Sequence, residues 1–407
     1  MTVAEVTRWT LPSDRVPEAW FNAASRLATP LEPPLDPQSS QPLGRDALAG
    51  LLPRALVDQE LTADPWVEVP GGVQDLLRQW RPTPLVRARR LEAALRTPAR
   101  IYFKDESVSP TGSHHPATAA AQAFYAKAEG ASRLVTESDT GRWGSALSLA
   151  SALCGLSASV YTGAGASMAE RIRIEAWGGS VIADQSHPGD AALGDAAAHA
   201  DSRFAPGSVF NHVVLHQTVI GLEAGEQLTL AGEERPDVVI GHCGGGSSLA
   251  GTALPFIDDA AVRLVAVEPS SWPTLTAGRF GHVPGDARGL LPLMAMYALG
   301  PDSAPPAINV PSIHSGGIAP IVCELVRRGR MEAMAYPLAP VLRAGVHWSR
   351  TEGPVPALTT AHALRAVVDE AVLAREEGRE RVILFPWVGH GVADLGIYGA
   401  FLNSQLD

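Results

Sequence analysis

Two short stretches carry residue types that could do chemistry. The first is Asp237-Val238-Val239-Ile240-Gly241-His242-Cys243-Gly244-Gly245-Gly246-Ser247-Ser248, an apolar run that meets three consecutive glycines before a helix-compatible segment. Glycines in such a turn let backbone N–H groups converge, and a helix start favours an anion, so the turn reads as a cup for a phosphate. The alternative is an ordinary tight strand-to-helix turn. A dinucleotide site is weighed too, because Glu268 closes a later strand. Its spacing fails, since counted from Gly244 the G-x-G-x-x-G pattern ends on Leu249. A monophosphate suits the loop better.

The second stretch is Ser109-Pro110-Thr111-Gly112-Ser113-His114-His115-Pro116, built like a cofactor-anchoring loop that opens a helix. His114, His115, His242, His314 and His390 are candidates to line one cleft, so a metal is weighed. Side chains of adjacent residues are expected to point apart, His114 and His115 are not expected to share an ion, and no metal is assigned. Amines are scarce: only Lys104 and Lys127 occur, the remaining basic charge is arginine, and a guanidinium does not act as an amine nucleophile. Lys127 is expected on a helix surface. Lys104, followed by Asp105-Glu106, is expected to keep its charge.

The elements that must position these groups follow a strand, turn, helix rhythm. Strands are expected at Ala99–Phe103, Arg133–Thr136, Ala158–Thr162, Ser180–Ala183, Asp237–Gly241, Arg263–Val267 and Arg381–Phe385, with helices over Pro116–Glu129 and Gly144–Leu156. Short β-branched runs alternating with helices predict parallel sheets covered on both faces. The segment up to about Pro70, rich in proline, is expected to be an extended arm wrapped over the body.

The chain has 407 residues, enough for two α/β lobes, and 46% hydrophobic residues, in keeping with a globular enzyme. A formal charge of −11 argues against nucleic acid or an anionic membrane as partner. Cys154, Cys243 and Cys323 are too far apart for a metal or disulfide pattern, which suits a reducing cytoplasm. The uncharged stretch after Trp143 is too weakly apolar for a bilayer span.

Over nearly its whole length the chain resembles the tryptophan synthase β family, above all its long-form branch. The resemblance is carried by Asn211–Ala224, Arg81–Arg87, Trp143–Leu147, Val265–Pro269, the Glu352-Gly353 segment ending at His362, and the proline-rich arm. It implies a fold-type-II architecture with two three-layer αβα lobes, mostly parallel sheets, a cofactor-sized cleft and a homodimer. The expected division is an arm with the first part of the N-terminal lobe over 1–80, a crossing segment over 81–113, the N-terminal lobe over 114–232 and the C-terminal lobe over 233–407.

The departures from the family pattern matter as much. The branch reads S-P-T-G-S-H-K where this chain ends on His115, so the resemblance puts an imidazole where the lysine bonds pyridoxal phosphate; imidazole forms no stable imine. It puts Ala117 in place of an asparagine facing the ring oxygen, and Val388, in Pro386–Gly391 beside His390, in place of a serine facing the ring nitrogen. The expected arginine-tyrosine-histidine stretch is replaced by Ile313–Gly317. Ser113, His114 and Gly244-Gly245-Gly246-Ser247-Ser248 would retain the phosphate contacts. Glu137-Ser138-Asp139-Thr140-Gly141-Arg142 matches the substrate-carboxylate loop, where Asp139 would repel a carboxylate unless Arg142 offsets it. Glu137 matches the family's acid/base carboxylate, with His115 as its opposing group.

The leading expectation is therefore an enzyme that works without a cofactor, Glu137 and His115 performing acid/base catalysis on an aromatic, indole-bearing substrate. Carbon–carbon bond formation, cyclisation or condensation in specialised metabolism would fit. Two alternatives stay open: a non-catalytic relative that binds a ligand or an active homologue, and a β-replacement enzyme holding pyridoxal phosphate non-covalently by its phosphate.

Overall fold

Alternation within the strands explains the layering. In the computed structural model, which describes residues 6–163, 166–184, 187–300 and 316–404, Val238 and Ile240 point into one apolar cluster with Val265, Val267, Ile383 and Phe385. Val239, Leu264, Ala266 and Leu384 point into another on the opposite side. A strand whose successive residues are all buried needs cover on both faces, and helices supply it.

In chain order the strands begin with β1 (Arg8–Trp9), β2 (Ala19–Phe21), β3 (Trp66–Glu68), β4 (Leu85–Arg87), β5 (Arg100–Asp105), β6 (Arg133–Glu137) and β7 (Ser157–Thr162). Next come β8 (Gly179–Ala183), β9 (Ser202–Phe204), β10 (Val238–His242) and β11 (Arg263–Pro269). The last are β12 (Arg279–Pro284), β13 (Leu293–Ala298), β14 (Glu332–Tyr336) and β15 (Val382–Trp387). A seven-stranded sheet has the order β1-β4-β5-β15-β10-β11-β14, and a four-stranded sheet the order β8-β7-β6-β9. The small sheet is parallel throughout, whereas in the large one only β1 and β4 run antiparallel to their neighbours. This is the expected α/β architecture with mostly parallel sheets.

The arm is less extended than its prolines suggest. It folds into β2, β3 and a helix over Arg54–Leu61, its strand β1 joins the large sheet, and Leu35 pairs with Leu293. Trp20 is fully buried, so burial of apolar groups, rather than local propensity, holds the arm to the body. Among the described residues no helix is long and apolar enough to cross a membrane.

Candidate active site

Strand β6 delivers Glu137 at its C-terminal end, and the next four residues turn into the helix Arg142–Cys154. Ser138 Oγ accepts from the Gly144 N–H at 3.0 Å, so the start of that helix is satisfied without Glu137. Gly141 closes the turn at φ +82°, and a Cβ there would stand 2.6 Å from Glu170 Cβ. Only glycine fits.

Strand β10 runs into the glycine turn as expected. Gly246 takes φ +90° and the helix Ser247–Ala253 follows. Gly245 O accepts from Ala319 N at 3.0 Å, tying the cup to the helix Pro320–Arg327. A cavity of about 200 Å³ opens over this turn, walled by Gly244, Gly245, Gly246, Ser247 and Ser248 on one side. Ser113, His114, His115, Thr140, Arg142 and Val388 wall the other. Backbone N–H groups, six hydroxyl side chains including Ser208 and Thr359, and one guanidinium face the same space. That donor set fits a phosphate.

Glu137 lies elsewhere. It lines a second cavity of about 240 Å³ with Phe204, Phe210, Leu291, Met294 and Met296 among its apolar walls. Ser208 lines both cavities, so the two adjoin at that residue. Burial pushes the Glu137 carboxyl up to about 7, and the nearby Asp139 charge adds to the rise. At neutral pH it can therefore hold or release a proton.

The histidine loop differs from expectation. His115 caps the helix Pro116–Ala128 with helical backbone angles, so the His114 and His115 rings stack, 4.1 Å apart and inclined by 34°. They do not point apart. Burial pushes His114 down to about 4, against the pull of the Val388 backbone hydrogen bond, and holds His115 well below the usual histidine value. Both rings are neutral at pH 7. The Nδ1 atom of each is buried and has no hydrogen-bond partner among the described residues. His115 also meets the Trp143 ring edge-on at 5.7 Å.

Several site expectations are corrected. Arg142 does not offset Asp139; its guanidinium is 2.7 Å from Asp394 Oδ2. Asp139, Gly141 and His390 line neither of the two cavities, and His390 sits behind Gly112 in a space of about 30 Å³, room for one water. His314 and most of the Ile313–Gly317 stretch lie outside the described residues, while Gly316 and Gly317 line the Glu137 cavity. Glu268 accepts from the Leu275 and Thr276 N–H groups, so it caps the helix Thr274–Ala277 and is committed there rather than to a ribose. Among the described residues no three His, Cys, Asp or Glu are grouped to hold a metal.

Sequence reasoning missed Ser208, Thr359 and the apolar walls. The Pro206-Gly207 turn was a usable signal for Ser208, and Val209 beside it has φ +70°, rare for a β-branched residue. Thr359 carries no local signal.

Neither lysine reaches the cavities. Lys104 is fully buried, donating to Thr83 O, to Glu223 Oε2 at 2.7 Å and to Gln227 Oε1 at 2.9 Å. Its partner is Glu223 rather than the adjacent Asp105, and burial lowers its pKa instead of leaving it undisturbed. Lys127 is exposed, with Nζ 3.3 Å from Gly155 O.

A family model described as pyridoxal-phosphate dependent enzyme matches residues 76–386. The chain is 43% identical to tryptophan synthase beta chain 2 of Aquifex aeolicus over 98% of its own length and 99% of that relative's. To the chain of the same name from Methanosarcina acetivorans it is 42% identical, covering 99% and 97%. Its fold is also that of a fungal L-serine ammonia-lyase from Rhizomucor miehei, with a TM-score of 0.61 and 16% identity over 80% of this chain and 98% of that one.

These findings overturn the expectation of an enzyme without a cofactor, because the matching family is defined by dependence on pyridoxal phosphate. The residues fit that group's phosphate, through the cup. They do not offer it an amine of this chain, and the Val388 side chain in the cavity wall has no hydrogen-bonding group. Fold, family model and full-length relatives agree: this chain belongs to the tryptophan synthase beta chain family of pyridoxal-phosphate dependent enzymes.

Proposed function

We propose that this chain is a β-chain-type lyase that holds pyridoxal phosphate by its phosphate alone, His115 standing where relatives carry the bonding lysine. Glu137 then moves a proton on an aromatic, indole-bearing substrate during carbon–carbon bond formation. The observation that carries this reading is the adjoining of two unlike cavities at Ser208, one rich in anion donors and one apolar around a single carboxylate.

When bound, the cofactor would supply an electron sink for carbanionic charge. The chain's own residues do the rest. Backbone N–H groups of Gly244–Ser248 and the hydroxyls of Ser113, Ser247 and Ser248 would bind and orient the phosphate. Phe204, Phe210, Leu291, Met294 and Met296 exclude water and take the flat face of an aromatic ring, methionine sulfur being well suited to that contact. A Glu137 Oε atom, poised by its raised pKa, accepts a hydrogen bond from the ring N–H as positive charge builds on the ring, then takes the proton lost by the ring carbon that has formed the new bond. The neutral His115 Nδ1, buried in the wall of the cup without a hydrogen-bond partner among the described residues, takes the opposing role. A homodimer is part of the same proposal, as the resemblance implies.

The test joins binding to turnover. Pyridoxal phosphate should saturate the protein, be stripped by gel filtration and leave no pyridoxyl adduct after borohydride, whereas His115→Lys should yield one on residue 115. With indole and amino-acid partners, Glu137→Gln should lower turnover by about 10²- to 10⁴-fold, the usual worth of a general acid/base. An adduct on Lys104 or Lys127 in the natural chain, or undiminished turnover in Glu137→Gln, defeats the reading.

A further inference from the structure

Trp143 lines neither cavity, yet it touches the wall of both. Its indole is 6% exposed. Nε1 donates to Thr136 Oγ1 at 2.8 Å and to Ala205 O at 3.2 Å, and Thr136 Oγ1 itself donates to Ala205 O at 2.7 Å. Thr136 is the residue before Glu137 on β6. Ala205 opens the Ala205-Pro206-Gly207-Ser208 turn that supplies the shared wall. Gly207 lies flat on the indole: a Cβ there would stand 2.6 Å from Trp143 Cγ and 2.8 Å from Cδ1. The third contact is the edge-on approach to His115 in the cup.

We propose that Trp143 is a positioning residue that holds the Glu137 strand, the Ser208 turn and His115 in one fixed arrangement, so that the two cavities meet. Three walls from three separate elements converge on one rigid ring, and a buried hydrogen-bonded indole has little freedom to yield. The Pro206-Gly207-Ser208 turn lines the same cavity as Glu137 and so sets how far that cavity opens to water beside the carboxylate. A smaller ring without the N–H leaves Gly207 and His115 unsupported, the turn loosens, and water reaches Glu137. Charged groups on the packed elements are otherwise engaged: Arg133 with Asp195, Asp190 with the Ala287 N–H, and Arg142 with Asp394. Among the described residues Asp139 is the one charge that raises Glu137.

The inference rests on Glu137 as the proton-carrying group, but its test needs neither cofactor nor turnover. The Glu137 carboxyl of the full-length, ligand-free protein, labelled with carbon-13 on glutamate and assigned by loss of its signal in Glu137→Gln, is titrated by NMR. In Trp143→Phe its midpoint should fall toward the ordinary carboxylate range by about one pH unit, a tenfold change in proton affinity. Gly207→Ala, which pushes the turn off the same ring from the other side, should do likewise and covers the case in which Trp143→Phe does not fold. A midpoint unmoved in the folded variants overturns the proposal. Should the midpoint move while the natural chain never turns over indole, the positioning role stands and the proposed reaction falls.

Discussion

Behind the cleft, Arg81, Lys104, Glu106 and Glu223 are buried together; in the cleft, His114, His115 and Glu137 face cavities. The rear cluster is closed on itself. Arg81 reaches Glu106 at 2.7 Å and Glu223 at 2.8 Å, Lys104 reaches Glu223 at 2.7 Å, and Thr83 bonds both carboxylates. Burial opposes the charges of Arg81, Lys104 and Glu106 and lowers Lys104, but Glu106 and Glu223 hold Arg81 protonated and Arg81 helps to hold Glu106 ionised. In the cleft burial outweighs what compensation there is: two imidazoles lose their charge although Glu106 and the Val388 backbone favour a charged His114, and one carboxyl rises to about 7. A polar group buried with a partner maintains the fold, while one buried without a partner awaits a ligand.

Removing one member of the rear cluster should have the largest effect. Glu223→Ala leaves Arg81 and Lys104 facing each other and should lower unfolding free energy by about 3–5 kcal/mol, read from urea denaturation. If cofactor affinity suffered and stability did not, the contrast between the regions would fail.

The cleft should respond through pH. Glu137 has a folded pKa of about 7, above its unfolded value, so the folded state binds more protons in between. Its contribution favours folding at low pH and is lost as pH rises from about 4.5 to about 7. His114 has the opposite sign: its folded pKa of about 4 lies below the unfolded 6.5, so stability is full above that value and falls as pH drops toward 4. Urea midpoints against pH should show Glu137→Gln losing the first slope and His114→Gln the second. An unchanged profile in either variant would mean that group is not buried as described.

The smallest effect is expected at His390. It lies outside both cavities, so His390→Ala should change pyridoxal phosphate affinity by about 0.5 kcal/mol or less in a spectroscopic titration. A larger loss would extend the cup to Gly112 and its neighbours.

Much of the frame was legible in residue order. The strands through Ile101, Val135, Val160, Val239, Val265 and Ile383 were readable because runs of β-branched residues have a local period, and the Gly244–Gly246 turn because glycine marks its own backbone. Local patterns could not show that Arg142 turns to Asp394, a residue 252 positions away, or that Glu137 and the cup occupy different cavities. Nor did they place the His114 and His115 rings, whose stacking depends on helical backbone at the cap.

The amino-acid sequence by itself determined which groups the chain owns: two lysines, a glycine cup and a carboxylate at the end of a strand. Period and composition are local properties, so elements and inventory follow directly from order. Tertiary structure alone decided that both lysines are committed elsewhere, that Ser208 joins two cavities and that Trp143 stands behind them. Those relations are set by packing between segments distant in the chain, where burial and the available partner determine what each side chain can do.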